Sequence, residues 1–220
     1  MRLILSIIFL FIQTFSFAQK QNEAIIIKEK AKVYKLPSFN SSTKYTLNNN
    51  EVFLINENSE IDSNWLEIEI YSNKLSKGNK LIVGFIHKSE VKLLEELPIV
   101  KSNEFLISFN IIKESESHSR IKQKYQFGLE VPSELLYIVN KMSLSCKNSI
   151  IDIDDFFYND LYNFSNIQGN YSNLNNPSFT MYKNEDVYFL KHNCGDGAGS
   201  YEITWVIEGC KVIQRLIDEI

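Results

Sequence analysis

Glycine, proline, cysteine and histidine are all scarce in this 220-residue chain, at 8, 4, 3 and 3 copies. Three cysteines allow one bridge and leave a thiol over, which excludes a disulfide framework, so any domain must rely on an ordinary core. Three histidines without paired ligand spacing give no zinc signature, and no metal is expected. An excess of basic charge is also missing. Lys and Arg total 23 against 27 Asp and Glu, for a net charge of −4. That balance lacks the electrostatic footprint of a nucleic-acid or anionic-lipid binder. Long apolar runs are absent too: the one sustained stretch, Leu3–Ile12, falls short of the roughly 20 residues that span a bilayer.

That stretch instead has the three parts of an export signal. Arg2 supplies the positive start, Leu3–Ile12 the apolar segment, and Ser16-Phe17-Ala18 the small residues before a cleavage point at Gln19. Residues 1–18 therefore read as a cleavable signal peptide, with no membrane span after cleavage and a mature chain that is periplasmic or secreted. Arg2 is the only charge removed, so the net charge moves to −5.

The mature chain has the pattern of short strands. Ala24–Ile27 is apolar, and Ala31-Lys32-Val33-Tyr34 precedes a turn at Pro37-Ser38. Glu51–Ile55 follows the Asn48-Asn49-Asn50 turn. Trp65-Leu66-Glu67-Ile68-Glu69-Ile70-Tyr71 alternates apolar and acidic residues, the period of a half-buried strand. Leu81–Ile86 follows Lys77-Gly78-Asn79. Five short strands in about 65 residues suggest a small barrel, which closes its sheet and hides its edges. Three pieces, Ala31–Tyr34 with Pro37, Trp65–Ile68 and Gly84-Phe85-Ile86-His87-Lys88-Ser89-Glu90-Val91, resemble the bacterial SH3-like (SH3b) family in order and spacing. The resemblance assigns residues 22–97 to an SH3-like domain and implies a cell-wall or peptide ligand. It departs from the family at 73–80, where a tight hairpin is usual.

Leu97–Asn103 reads as a boundary. Beyond it, residues 104–220 read as an antiparallel β-sandwich or barrel with one short helix, making the whole chain mainly β. Strands are expected at Phe105–Ile112, Lys122–Phe127, Leu135–Cys146 and Ser149–Ile153, with a helix over Asp154–Asn163 capped by Asp152 or Asp154. A final meander runs through Asp186–Asn193, Tyr201–Glu208 and Lys211–Ile217. In its middle strand Tyr201, Ile203, Trp205 and Ile207 share one face. Through the turn Gly195-Asp196-Gly197-Ala198-Gly199 and the Trp strand after it, this half is similar to uncharacterised exported bacterial β-domains, which imply no activity.

Four groups of residues bear on function. Tyr34, Phe39, Trp65 and Phe85 are candidates to line a groove for an extended peptide or glycan. Alternation places Trp65 and Phe85 mainly in the core and leaves Tyr34 and Phe39, beside Pro37, as the better groove residues. Gly195, Asp196 and Gly197 form a loop able to approach a ligand closely through its backbone. The strand that follows excludes a nucleotide-binding loop, which needs a Lys and a helix. His192 and Cys194 are two apart on a strand end and share a face, the spacing of a thiol beside an imidazole base. Asp152, Asp154, Asp155 and Asp160 lack the glycine and glutamate register of a calcium loop and read as helix caps and solvated surface.

No catalytic residue and no cofactor is expected. The leading expectation is an exported, non-enzymatic binding or envelope-associated protein whose ligand is peptidoglycan or peptide. The alternative is a cysteine-dependent hydrolase of envelope material using Cys194 and His192. As for crosslinks, Cys194 and Cys210 flank the strand Tyr201–Glu208 at opposite ends, roughly 26 Å apart at the usual strand rise. A bridge needs Cα atoms within about 7 Å. Any bridge is therefore expected to use Cys146, with Cys194 ahead of Cys210 as its partner, three free thiols being the alternative.

Overall fold

The computed structural model describes residues 22–56, 64–71, 81–100, 105–113, 137–146, 148–164, 169–172, 178–194 and 200–219. The expected signal peptide 1–18, the expected strand Lys122–Phe127 and the glycine loop with Gly195, Asp196 and Gly197 lie outside them. The described chain is mainly β, its sheets antiparallel, and its helical turns are short 3-10 pieces.

The first seven strands form one sheet. They are β1 (Asn22–Ile26), β2 (Lys30–Tyr34), β3 (Thr43–Asn48), β4 (Val52–Ile55), β5 (Trp65–Tyr71), β6 (Leu81–His87) and β7 (Val91–Leu93). The spatial order is β3-β2-β6-β5-β4-β1-β7. Alternate residues turn inward, so Ala31, Val33, Ile68, Ile70 and Ile86 meet Phe53 in one core. Gly84 is required where β6 passes β2: a Cβ there would lie 2.6 Å from Val33 Cγ1 and 2.9 Å from the Tyr34 carbonyl. The expected barrel is corrected in one respect, because the sheet does not close. Its two edges are β3 and β7. β7 is only three residues long, and β3 exposes Lys44 and Thr46; short or charged edges resist pairing without closure.

The second half is a sandwich. One sheet is built from β8 (Phe105–Lys113), β9 (Tyr137–Cys146), β10 (Ser149–Asp152) and β11 (Gly169–Ser172), in the order β10-β9-β8-β11. The other is the consecutive meander β12 (Phe179–Asn184), β13 (Val187–Cys194), β14 (Tyr201–Glu208) and β15 (Lys211–Glu219). Their facing sides share a core in which Ile107, Phe109, Met142 and Leu144 meet Tyr201, Ile203, Trp205 and Ile207. Asn148, at φ 65°, turns β9 into β10, and Gly209 and Cys210, at φ 53° and 64°, turn β14 into β15. Both are the left-handed conformations that two-residue hairpins demand.

The bridge joins Cys146 to Cys210, with Cα atoms 5.9 Å apart across 64 residues. Cys146 is thus used as expected, but its partner is Cys210 rather than Cys194. The reason is the direction of β14: Cys194 pairs with Tyr201 at its start, whereas Cys210 sits in the turn at its end, where β9 finishes. The expected helix shrinks to a 3-10 turn at Asp155–Phe157, with Asp154 Oδ1 accepting from the Phe156 N–H at 3.0 Å. Tertiary contacts take the rest of that segment. Asp160 is fully buried on Arg215, which donates to both carboxylate oxygens at 2.6 and 3.0 Å. Tyr162 bridges to Ile138 of β9.

The two halves also share buried surface. The outer face of the meander, through Phe189, Val206 and Leu216, packs against Ile25, Val52 and Leu54 of β1 and β4. Those two strands are therefore covered on both faces, which is why β4 is apolar throughout and β1 ends in the apolar run Ala24-Ile25-Ile26. Polar groups cross the same interface. Lys191 Nζ lies 3.4 Å from Glu23 and 2.8 Å from Glu202, and Thr204 donates to Glu23 at 2.7 Å. The Gln214 amide both accepts from the Val52 N–H and donates to its carbonyl, at 2.9 and 2.7 Å. Residues 98–100, read as a boundary, run along β12, with Lys183 N–H donating to Pro98 and Val100 N–H to Met181.

Candidate functional site

Register assembles an aromatic patch on the outer face of the first sheet. On β5 and β6, Trp65 lies opposite His87 and Glu67 opposite Phe85; on β2, Tyr34 lies opposite Phe85. A period of two puts all five side chains on the face away from the Ile68 and Ile86 core. The turn after Tyr34 then folds Phe39 back over them. Lys35 N–H donates to the Ser42 carbonyl, Ser41 Oγ accepts from Leu36 N–H, and Ser41 N–H donates to the Ser38 carbonyl, which closes the turn around Pro37.

The rings touch in sequence. Phe39 lies 4.9 Å from Trp65 and 5.2 Å from His87, centroid to centroid, and Tyr34 meets Trp65 edge-on at 5.6 Å. Trp65 contacts His87 edge-on at 5.4 Å and Tyr34 contacts Phe39 at 6.0 Å. These separations suit the quadrupoles of edge-to-face and tilted pairs. Trp65 forms the floor at 7% exposure and Phe39 the roof at 61%. Among the described residues no group accepts a hydrogen bond from the Trp65 indole N–H. His87 is oriented by its own turn: Nδ1 accepts from the Ser89 N–H at 3.3 Å and lies 2.8 Å from Ser89 Oγ. With Nδ1 accepting, the ring proton is on Nε2. Lys35 and Lys88, next to Tyr34 and His87 in sequence, are both exposed, and Glu67 brings a carboxylate to the same face.

Tyr34, Phe39 and Trp65 are thus brought together. Trp65 is buried, but beneath the patch rather than in the sheet core, and half-buried Phe85 shares the face without ring contact to the others among the described residues. His87 was missed by sequence reasoning. Its signal is the spacing from Phe85, two residues along a strand, which puts both on one face.

His192 and Cys194 occupy the opposite kind of environment. Both point from β13 into the sandwich. The His192 ring stacks on Phe179 at 4.0 Å, and its nitrogens meet Ser178 Oγ at 2.9 Å and the Phe164 carbonyl at 3.4 Å. Burial lowers its pKa to about 4. Cys194 is 1% exposed; burial pushes its thiol far above the usual range, with the Tyr201 hydroxyl as its polar neighbour. A thiol activated for attack needs the reverse shift and access for substrate. Of the acidic cluster, Asp154 caps a turn, Asp152 pairs with Lys141 and Asp160 with Arg215. Among the described residues no three acidic, His or Cys groups converge as metal ligands, and no helix is long and apolar enough to cross a membrane. No family model matches this chain, and neither a curated protein nor a solved structure matches it.

Proposed function

We propose that this is an exported, non-enzymatic binding protein of the cell envelope, with an SH3-like first domain that docks wall-derived or other extended peptides on the patch of Tyr34, Phe39, Trp65 and His87. The observation that carries this reading is Phe39, a large apolar ring held in solvent above a tryptophan whose indole N–H meets no acceptor among the described residues. Aromatic rings with polar handles dominate peptide-binding surfaces because they bury large area at little entropic cost. The alternative hydrolase reading is disfavoured by the burial of Cys194 and by the low basicity of His192.

Intrinsic fluorescence tests the proposal, since Trp205 is fully buried and Trp65 is the one other tryptophan. Titration with soluble muropeptides is expected to shift the emission saturably, and Phe39→Ala and Tyr34→Ala each to weaken binding about tenfold. No shift, or full affinity in both variants, overturns the site. Release of cleaved product in the same incubations overturns the non-enzymatic reading.

A further inference from the structure

The outer face of the sheet β10-β9-β8-β11 carries a second arrangement that none of the foregoing uses. Register aligns Ser172, Ser108 and Ser143 directly across β11, β8 and β9, one hydroxyl per strand. Neighbouring hydroxyls are therefore about 4.8 Å apart, the separation of strands. Two residues along, Asn170 lies opposite Asn110, and Asn140 reaches them from a bulge in β9. These amides are chained. Asn140 Nδ2 donates to Asn110 Oδ1 at 3.1 Å, and Asn110 Nδ2 donates to Asn170 Oδ1 at 3.0 Å. The chain orients each carboxamide and leaves the Asn170 NH2 group pointing onward.

These two rows floor an open cavity of about 420 Å³. Ser172, only 9% exposed, lines it, and among the described residues no hydrogen bond engages its hydroxyl. Ser108 and Ser143, half-buried, present hydroxyls that are equally unengaged among the described residues. The single cation of the floor, Lys141, is paired with Asp152 at 2.8 Å, so the surface is locally neutral.

We propose that this face binds a neutral glycan, at a site separate from the aromatic patch. Hydroxyls and carboxamides both donate and accept, which matches the hydroxyl and acetamido groups of a saccharide. With Lys141 paired to Asp152, the floor lacks the unpaired cation that a phosphate or carboxylate would favour. Extended peptides bind along one exposed strand edge or through pockets for alternate side chains, whereas these two rows run across three strands, from edge strand β11 through β8 to β9.

The test is titration of the isotopically labelled full chain with the tetrasaccharides of N-acetylglucosamine and of glucose, beside a neutral Gly-Ser peptide of equal length. One sugar is expected to cause saturable shifts at Ser108, Ser143 and the side-chain amides of Asn110 and Asn170. The triple variant S108A/S143A/S172A, its unfolding midpoint measured in parallel, is expected to bind that sugar about tenfold more weakly or worse. Phe39→Ala is expected to leave sugar affinity unchanged, which separates this site from the peptide patch. Failure of both sugars to bind, equal binding of the peptide, or undiminished affinity in the folded triple variant overturns the proposal.

Discussion

Trp65 and Trp205, the two tryptophans of the chain, sit in aromatic clusters of similar make-up and opposite exposure. Around Trp65 stand Tyr34, Phe39 and His87; around Trp205 stand Phe109 and Phe164, with Phe179 and His192 behind them. The difference lies in what covers each cluster. Trp205 has a second sheet over it, is fully buried, and donates its indole N–H to the Phe157 carbonyl at 3.2 Å. Trp65 has one exposed phenylalanine above it, and its N–H meets no acceptor among the described residues. The histidines divide the same way: His192 is stacked and desolvated inside the sandwich, whereas His87 is half-buried and turned by Ser89 toward solvent-facing rings. Residue type alone does not mark a site. A ring that remains at the surface with polar capacity unused is available to a ligand; a ring enclosed with its polar atoms satisfied belongs to the core.

The widest contrast is expected between Phe109→Ala and Phe39→Ala in denaturant unfolding. Phe109, 1% exposed, should cost about 3–5 kcal/mol through lost burial and the cavity left behind. Phe39 should cost under about 1 kcal/mol, because it is a surface ring. A Phe39→Ala loss as large as that of Phe109→Ala would mean that the patch is core.

The next effect is a pH dependence that the exposed cluster does not share. His192 has its pKa lowered from 6.5 to about 4 by burial. Between those values the unfolded chain binds a proton that the folded chain refuses, so the contribution of His192 is fully present above about pH 6.5 and is lost as pH falls toward 4. The loss amounts to about 3 kcal/mol. Glu23 acts in the opposite sense. Burial raises its pKa against the pull of Lys191, so the folded chain holds that proton more readily and the contribution weakens as pH rises. Comparison of the parent with His192→Gln isolates the histidine. The variant should show a flatter stability profile between pH 6.5 and 4, and an unchanged slope would contradict the enclosed imidazole.

The smallest effect concerns the platform beneath the exposed cluster. Gly84→Ala drives a Cβ against Val33 and the Tyr34 carbonyl, and overpacking of this kind costs about 1–3 kcal/mol. Because the strain falls on Tyr34, the fluorescence response to muropeptide should weaken as well. Loss of stability without any change in binding would show that the patch does not depend on how β2 crosses β6.

Much of the local structure was legible in the chain. The strand Tyr201–Glu208 was readable to the residue, and its Tyr201, Ile203, Trp205 and Ile207 face is the one buried in the sandwich. The Asn148 and Gly209 turns follow from two of the few residues that tolerate positive φ, while Cys210 takes the same conformation without that preference. Part of the patch was legible too, in Tyr34 and Phe39 beside Pro37, whereas His87 was missed and Trp65 and Phe85 were read as core. The side on which the core lies was not legible, because period two separates two faces without saying which one another layer will cover. The Cys146–Cys210 bridge, the enclosure of Asp160 by Arg215 and the pinning of residues 98–100 along β12 were equally hidden. Each depends on partners far away in sequence.

What the sequence determined by itself is therefore what spacing of 2 to 4 residues can encode: strands, turns, shared faces and the absence of excess charge. The tertiary structure decided which faces were sealed. Stacking of the meander on β1 and β4 consumed one set of apolar residues, and the facing sheets of the sandwich consumed His192, Cys194 and the aromatics around Trp205. Exposure is a property of how layers meet, and desolvation, which sets both the pKa values and the availability of a ring, acts only once they have met.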